Sequence, residues 1–176
     1  MDLQKVINAR RSIRSYRGDP IPDSKVLRVL AAAIKAPSAG NVQPFKIALV
    51  QEASAREELA KAAWDQKFIA EAPVAIVFLV DLDEASGRYG SRGRELYSLL
   101  DVGAAIENLI LAAQDNGLGT CWVGAFKEEE VARALNSPPG LRPVSIVSLG
   151  HASRQPKERV KKPLEQLLVR ERFKET

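Results

Sequence analysis

Cysteine and histidine are almost missing from this 176-residue chain, which carries one of each, Cys121 and His151. A lone cysteine excludes an internal disulfide framework and fits a reducing cytosol. One histidine and one cysteine also leave a zinc site short of the about four ligands it wants, so no metal is expected. No stretch approaches the roughly 18 consecutive apolar residues of a membrane span. The opening Met1-Asp2-Leu3-Gln4-Lys5-Val6 lacks the charged-then-apolar build of a signal peptide. No internal repeat or low-complexity tract appears. These absences lead to the expectation of a soluble, cytoplasmic protein with no membrane contact. With 45% hydrophobic residues, the length suits one core and is short for two independent domains.

Charge is unevenly placed. Residues 1–28 hold seven Lys/Arg against three Asp/Glu, and residues 151–176 hold eight against four, around a middle with more acids than bases. Basic ends are compatible with nucleic acid, with a smaller anion, or with plain solvated surface.

The periodicity predicts a short helix over 2–9 and a second after Asp23, read as its N-cap, with Val26, Leu27, Leu30, Ala33 and Ile34 on one face up to Pro37. Residues 45–50 read as a strand and 55–63 as a modest helix. Val74 to Val80 is nearly continuous apolar sequence, as in a strand covered on both faces. The polar stretch that follows, with three glycines, reads as a loop. The strongest helix is expected from Glu95 to Asn116, closed by Gly117 and apolar almost all round between Val102 and Ala113. Strands are expected over 120–123 and 143–149, flanking a helix over 128–135. Interleaved strands and helices predict a three-layer α/β architecture with a mixed sheet. The apolar run 164–169 has no evident neighbour in its own chain, and donation to a partner subunit would supply one.

Two segments carry chemistry. Arg10-Arg11-Ser12-Ile13-Arg14 gathers three guanidinium groups and a hydroxyl where a helix should end, and planar guanidinium suits phosphate through paired donors. Pro37-Ser38-Ala39-Gly40-Asn41-Val42-Gln43-Pro44 breaks another helix and presents Ser38, Asn41 and Gln43. The two amides each carry a donor and an acceptor, as the pyrimidine edge of a flavin requires. Gly124 follows a strand, where the lack of a side chain would let a backbone amide approach a flat ring. The ordinary alternatives are solvated charge for the arginines and turn chemistry for the polar cluster.

Taken together, these segments resemble the FMN-dependent nitroreductase family in its short form. The resemblance runs through Arg10 to Tyr16, Ala36 to Phe45, Asp101 to Leu109, Leu111-Ala112-Ala113, Gly117 to Thr120 and Gly124-Ala125-Phe126, and ends in the basic tail Arg159 to Glu165. It implies an α+β sandwich with α/β/α layers, residues 1–150 forming one FMN-binding domain and 151–176 a C-terminal extension exchanged with the partner of a homodimer. It implies that Arg10, Arg11, Ser12 and Arg14 contact FMN, and that Pro37, Ser38 and Asn41 come from the partner with Gln43 close by. The backbone at Gly124 would donate to flavin N5, and Arg159 and Lys161 would complete the phosphate site. The reductant would be NADH or NADPH and the acceptor a small nitroaromatic, quinone or similar molecule, reduced by a ping-pong route. No side chain is nominated as catalytic, and no nucleic acid is expected.

Two departures stand out: Phe45 where many members have Trp, and a segment after Val80 too short for the helical lid of larger members. Flavin-cleaving and dehalogenating branches of the same fold remain alternatives, as does a non-enzymatic basic module for polyanions. Gly87 to Arg94 resembles an RNA-binding Arg/Gly segment, although a mobile loop flanking the site, and facing the NADPH phosphate, is the other reading. Cys121 reads as a core thiol and His151 as a surface loop residue. Trp64, Phe68 and Tyr89 are either acceptor-pocket or core aromatics.

Overall fold

Val74 to Val80 forms the centre of the protein, because a strand apolar on both faces has to be covered on both. The structure, a computed structural model, describes residues 2–172. Among these residues four strands, β1 (Phe45–Val50), β2 (Val74–Asp81), β3 (Gly119–Val123) and β4 (Leu141–Gly150), stand in the order β1-β2-β4-β3. All three pairings are antiparallel. The parallel component of the expected mixed sheet is confined, among the described residues, to one bridge between Ser12 and Thr120 beside β3.

Alternation along β2 divides the core in two. Val74, Ile76, Phe78 and Val80 face one cluster, where α2 (Asp23–Ala33) and α6 (Ser98–Asp115) pack. Ala75, Val77 and Leu79 face the other, beneath α3 (Ala53–Ala62), α4 (Phe68–Glu71) and α7 (Glu128–Ala134). Period-two alternation thus produces the three layers from one strand. Residues Leu3–Ala9 form α1, which lies against α6.

Several elements differ from their predicted form. Asp23 is the first residue of α2, with Pro22 in the cap position. On α2 the buried residues are Val26, Val29 and Ala33, while Leu27 and Ile34 are exposed. The core shared with α6 accepts a stripe at i, i+3 and i+7, and those two side chains lie beside it.

The stretch after β2 is a helix and not a loop. It comprises α5 (Leu82–Arg92), broken at Gly90, followed by a π-type turn over Gly93–Tyr97 that runs straight into α6. Its start is ordinary helix chemistry. The Asp81 carboxylate accepts from the Glu84 N–H at 3.0 Å, and Asp83 and Glu84 fill the positive first turn. Gly87, Gly90 and Gly93 hide that signal, because each lowers helix propensity. The run Leu82–Asp115 is long and apolar enough to cross a bilayer by composition. Its apolar character is used on the sheet instead, through Val102, Ala105, Ile106, Leu109, Ile110 and Ala113.

The C-terminal segment behaves differently. From Ser153 to Arg172 every residue is exposed, Val160 at 98% and Leu164 and Leu167 at 66% each, around a single 3-10 turn over Leu164–Gln166. The last four residues of the predicted extension, 173–176, lie outside the described residues.

Gly150 closes β4 where the chain passes between Tyr16 and Pro73. A Cβ there would stand 2.7 Å from atoms of both rings. Gly150→Ala is expected to lower stability by about 1–3 kcal/mol through overpacking, read as a fall in the denaturant midpoint at unchanged m.

Candidate functional site

The arginine segment is positioned by what lies between the arginines. After α1 ends at Arg10 the chain extends alongside β3, with the Ile13 N–H donating to the Thr120 carbonyl at 2.8 Å. Farther on, the Arg17 N–H donates to His151 O at 2.9 Å and the Ser153 N–H to Ser15 O at 3.1 Å. Ile13 and Tyr16 turn inward and are buried. The Tyr16 hydroxyl donates to Ile13 O at 2.8 Å and meets Ser148 Oγ at 2.8 Å, and burial pushes its pKa well above the usual phenol range. Ser12 and Arg14 flank Ile13 in sequence and line the cleft outside.

That cleft has a volume of about 520 Å³, within the range of small-ligand sites. Arg10, Arg11, Ser12 and Arg14 form one side, and Lys157, Glu158, Arg159 and Lys161 of the C-terminal segment form the other, with Glu107 of α6 between. The structure therefore brings together both predicted phosphate clusters, 148 residues apart in sequence from Arg11 to Arg159. Six cationic residues face two carboxylates.

Arg11 is the member already committed. Its guanidinium donates to Asn8 O at 2.6 Å and Arg10 O at 2.9 Å, capping the end of α1, and to Glu158 Oε2 at 2.9 Å. It ties the C-terminal segment to α1. Arg10, Arg14, Arg159 and Lys161 have no carboxylate partner among the described residues, and Arg14 lies 5.9 Å above the Phe68 ring. Grouped cations without counter-charge are stable only beside solvent or a bound anion. Guanidinium, ammonium and the Ser12 hydroxyl together form a phosphate donor set.

Pro37, Ser38, Asn41 and Gln43 are elsewhere. None lines this cleft, and within one chain the two predicted halves remain separate. Their turn lies between α2 and β1, beside α5 and the start of α6. It is held from three sides: Ser38 Oγ accepts the Gln43 N–H at 3.1 Å, Asp101 Oδ1 accepts the Ala39 N–H at 3.0 Å, and Arg88 donates to Gly40 O at 3.2 Å. Gly40, Asn41 and Gln43 all have positive φ, between 54° and 56°. For Gln43, which precedes Pro44, that conformation is doubly disfavoured. Backbone strain over-determined by its surroundings is a mark of functional turns. Asn41 and Gln43 are both exposed.

Gly124 follows β3 directly, and a Cβ there would meet nothing within 4 Å. Its loop is fixed by the Gln66 amide, which donates to Ala125 O at 3.3 Å, and by the Lys127 N–H to Ala62 O at 3.0 Å. Gly124 does not line the cationic cleft; the cations and the Ser12 hydroxyl that do are a donor set that fits the phosphate of an FMN group. Phe68 is core, whereas Trp64 is exposed beneath the Lys127 ammonium and Tyr89 is exposed beside Gly40. Cys121 is a buried thiol, its pKa raised by burial, and His151 is half-buried at the end of β4.

Sequence reasoning did not single out Asp101, Glu107, Glu158 or Gln66. A detectable signal existed for Asp101, a carboxylate in the first turn of a mostly apolar helix. Burial raises its pKa and the Ala39 N–H opposes the rise.

Comparison with known proteins gives one family. A profile described as the nitroreductase family matches residues 7–68 and 63–151. The putative NADH dehydrogenase/NAD(P)H nitroreductase of Archaeoglobus fulgidus is 34% identical over 151 residues, covering 84% of this chain and 83% of that protein. The FMN reductase [NAD(P)H] of Bacillus subtilis is 27% identical, over 93% of this chain and 71% of its own length. Among solved structures, B. megaterium NfrA2 superimposes with a TM-score of 0.91 at 26% identity, covering 99% of this chain and 76% of that one.

Asp101 gives a signed prediction. Because its folded pKa is raised, its contribution to stability falls as pH rises from the ordinary carboxylate value through the folded one. Asp101→Asn keeps an acceptor for Ala39 and should remove that dependence without loss of stability. Asp101→Ala leaves the N–H unpaired and should cost about 1–3 kcal/mol. Chemical denaturation at several pH values between 4 and 7, roughly the carboxylate titration range, checks both.

Proposed function

This chain belongs to the nitroreductase family, and on that premise we propose that it is an NAD(P)H-dependent oxidoreductase holding FMN at the interface of a homodimer. It passes hydride from NADH or NADPH to a nitroaromatic, quinone or similar small acceptor, the two substrates occupying one place in turn. The observation that carries this reading is the cleft in which Arg10, Arg14, Arg159 and Lys161 converge around Ser12, none of them paired with a carboxylate among the described residues. Relatives named FMN reductase and NAD(P)H nitroreductase support it. A polyanion-binding module would spread its cations over a surface, but here they line a cleft of small-molecule size.

FMN, when bound, supplies a ring that accepts hydride at N5 and returns it to an acceptor. The residues of this chain bind and orient. Arg10, Arg14, Arg159 and Lys161 hold the phosphate, Ser12 adds a hydroxyl donor, and Arg11 braces the C-terminal segment through Glu158. The backbone at Gly124 leaves room for the ring and offers an amide at its edge. Pro37, Ser38, Asn41 and Gln43 of a second copy supply the pyrimidine contacts, which accounts for a strained polar turn unused in its own chain. No acid, base or nucleophile is needed at the reacting atoms.

The second copy also explains exposed apolar surface. Leu3 and Ile7 of α1, Leu99 and Leu100 of α6 and Trp122 of β3 are all uncovered, and the C-terminal segment presents Leu164, Leu167 and Leu168. Surface of this extent in one chain is typical of an obligate interface. The segment from Leu164 wraps the partner, and the buried free thiol of Cys121 suits a cytoplasmic setting.

Arg10→Ala/Arg14→Ala should purify folded, by circular dichroism, but lack the flavin absorbance of the parent. Undiminished flavin occupancy would contradict the phosphate site. Truncation after Pro163 removes the apolar tail and spares the phosphate cleft. Sedimentation velocity should then show monomer at concentrations where the parent is dimeric, and a truncated protein still wholly dimeric would refute the wrapped tail.

A further inference from the structure

The segment from Gly87 to Tyr97 is a second cationic site, separate from the phosphate cleft. Here α5 and the π-type turn form a comb of alternating arginine and tyrosine. The Arg88 guanidinium lies 5.5 Å over the Tyr89 ring, and that of Arg92 lies 5.2 Å over the Tyr97 ring. The two tyrosines meet edge to face at 5.3 Å, and Arg92 Nε donates to the Tyr97 hydroxyl at 2.9 Å. Arg88, Arg92 and Arg94 have no carboxylate partner among the described residues, and Glu95 is the only acid between 87 and 97. Glu84, at the far end of α5, is already paired with Lys46.

Two backbone features lock the comb in place. Gly90 adopts φ 57° and ψ −141°, open only to glycine, which bends α5 between Tyr89 and Arg92. Gly93 packs so tightly that a Cβ would stand 2.1 Å from Ala85 O. The comb is also joined to the strained turn: a Cβ on Gly40 would lie 2.6 Å from the Tyr89 hydroxyl and 3.0 Å from the Arg88 guanidinium. Whatever Asn41 and Gln43 contact, this comb stands at its margin.

We propose that Arg88, Tyr89, Arg92 and Tyr97 bind the 2′-phosphorylated adenosine half of NADPH and select it over NADH. This rests on the NAD(P)H-dependent reading of the active site. Arg88 donates one N–H to Gly40 O and Arg92 donates Nε–H to the Tyr97 hydroxyl, which leaves each guanidinium its remaining N–H groups to pair with a phosphate dianion. The exposed Tyr89 ring, 38% accessible, is the flat surface a purine stacks on. A dinucleotide with its nicotinamide at the flavin must extend its adenosine end outward. The comb edges the turn that a second copy inserts there, so it takes that end.

The test uses the full-length, flavin-loaded protein. Arg92→Ala should raise the KM for NADPH about tenfold and leave that for NADH within about twofold, since one charge-assisted phosphate contact is lost. Arg88→Ala/Arg92→Ala should widen the effect, with flavin content measured in each variant because Arg88 also braces Gly40. Calorimetric titration of the unreduced protein with adenosine 2′,5′-bisphosphate and with 5′-AMP gives a readout without turnover. The parent should prefer the bisphosphate, and the double variant should lose the preference. Equal changes for the two reductants, no change, or no preference in the parent overturns the proposal. So does salt-sensitive oligonucleotide binding that the substitutions abolish while NADPH kinetics stay as they were. A parent purified without flavin would instead refute the FMN reading, and the titration would still decide this one.

Discussion

The pairing of Ile13 and Tyr16 with the sheet is the constraint on which the phosphate cleft depends. One backbone bond from Ile13 to Thr120 and the Tyr16 hydroxyl between Ile13 O and Ser148 fix an otherwise irregular segment to the edge of β3 and the end of β4. Burial of those two side chains leaves the flanking Ser12 and Arg14 outside. Gly119 and Gly150 make the approach possible, since a Cβ on either would enter the side chain of Ile13 or Tyr16. The desolvated Tyr16 hydroxyl is kept neutral and satisfied by hydrogen bonds, so the anchor carries no unpaired polar group.

Charge then divides the labour among residues of similar chemistry. Arg11 is neutralised by Glu158 and by two carbonyls and acts as a brace. Its neighbours Arg10 and Arg14 have no carboxylate partner among the described residues. The same distinction separates Lys46, paired with Glu84, from the arginines of α5. Counting cations treats all these groups as equal, whereas their value for binding depends on which have already been compensated.

Much of the architecture was legible from pattern. The strands over 45–50 and 74–81, and the long apolar helix ending near Gly117, follow from alternation, continuous apolarity and a glycine cap. The helix over 82–92 was not, because three glycines conceal an ordinary acidic N-terminus; tertiary packing of Gly93 on Ala85 makes good the lost propensity. The expected face of α2 keeps Val26 and Ala33, gains Val29 and loses Leu27 and Ile34. Leu27 and Ile34 are as apolar as their neighbours, and only packing on α6 and the shared core decides which stripe is covered.

For the candidate site, residue identity pointed to Arg10, Arg11, Ser12 and Arg14, since guanidinium and hydroxyl groups are phosphate donors wherever they stand, whereas Arg159 and Lys161 were singled out by the family resemblance. The polar turn from Pro37 to Pro44 was equally visible as a break in a helix. Tertiary structure alone decided that the two basic ends of the chain face one cleft, that Arg11 is spent on Glu158, and that Ser38, Asn41 and Gln43 do not line that cleft, the last two standing on a strained backbone. The reason is physical. Side-chain chemistry is local and written in each residue, whereas convergence, compensation of charge and strain are properties of groups brought together across the sheet.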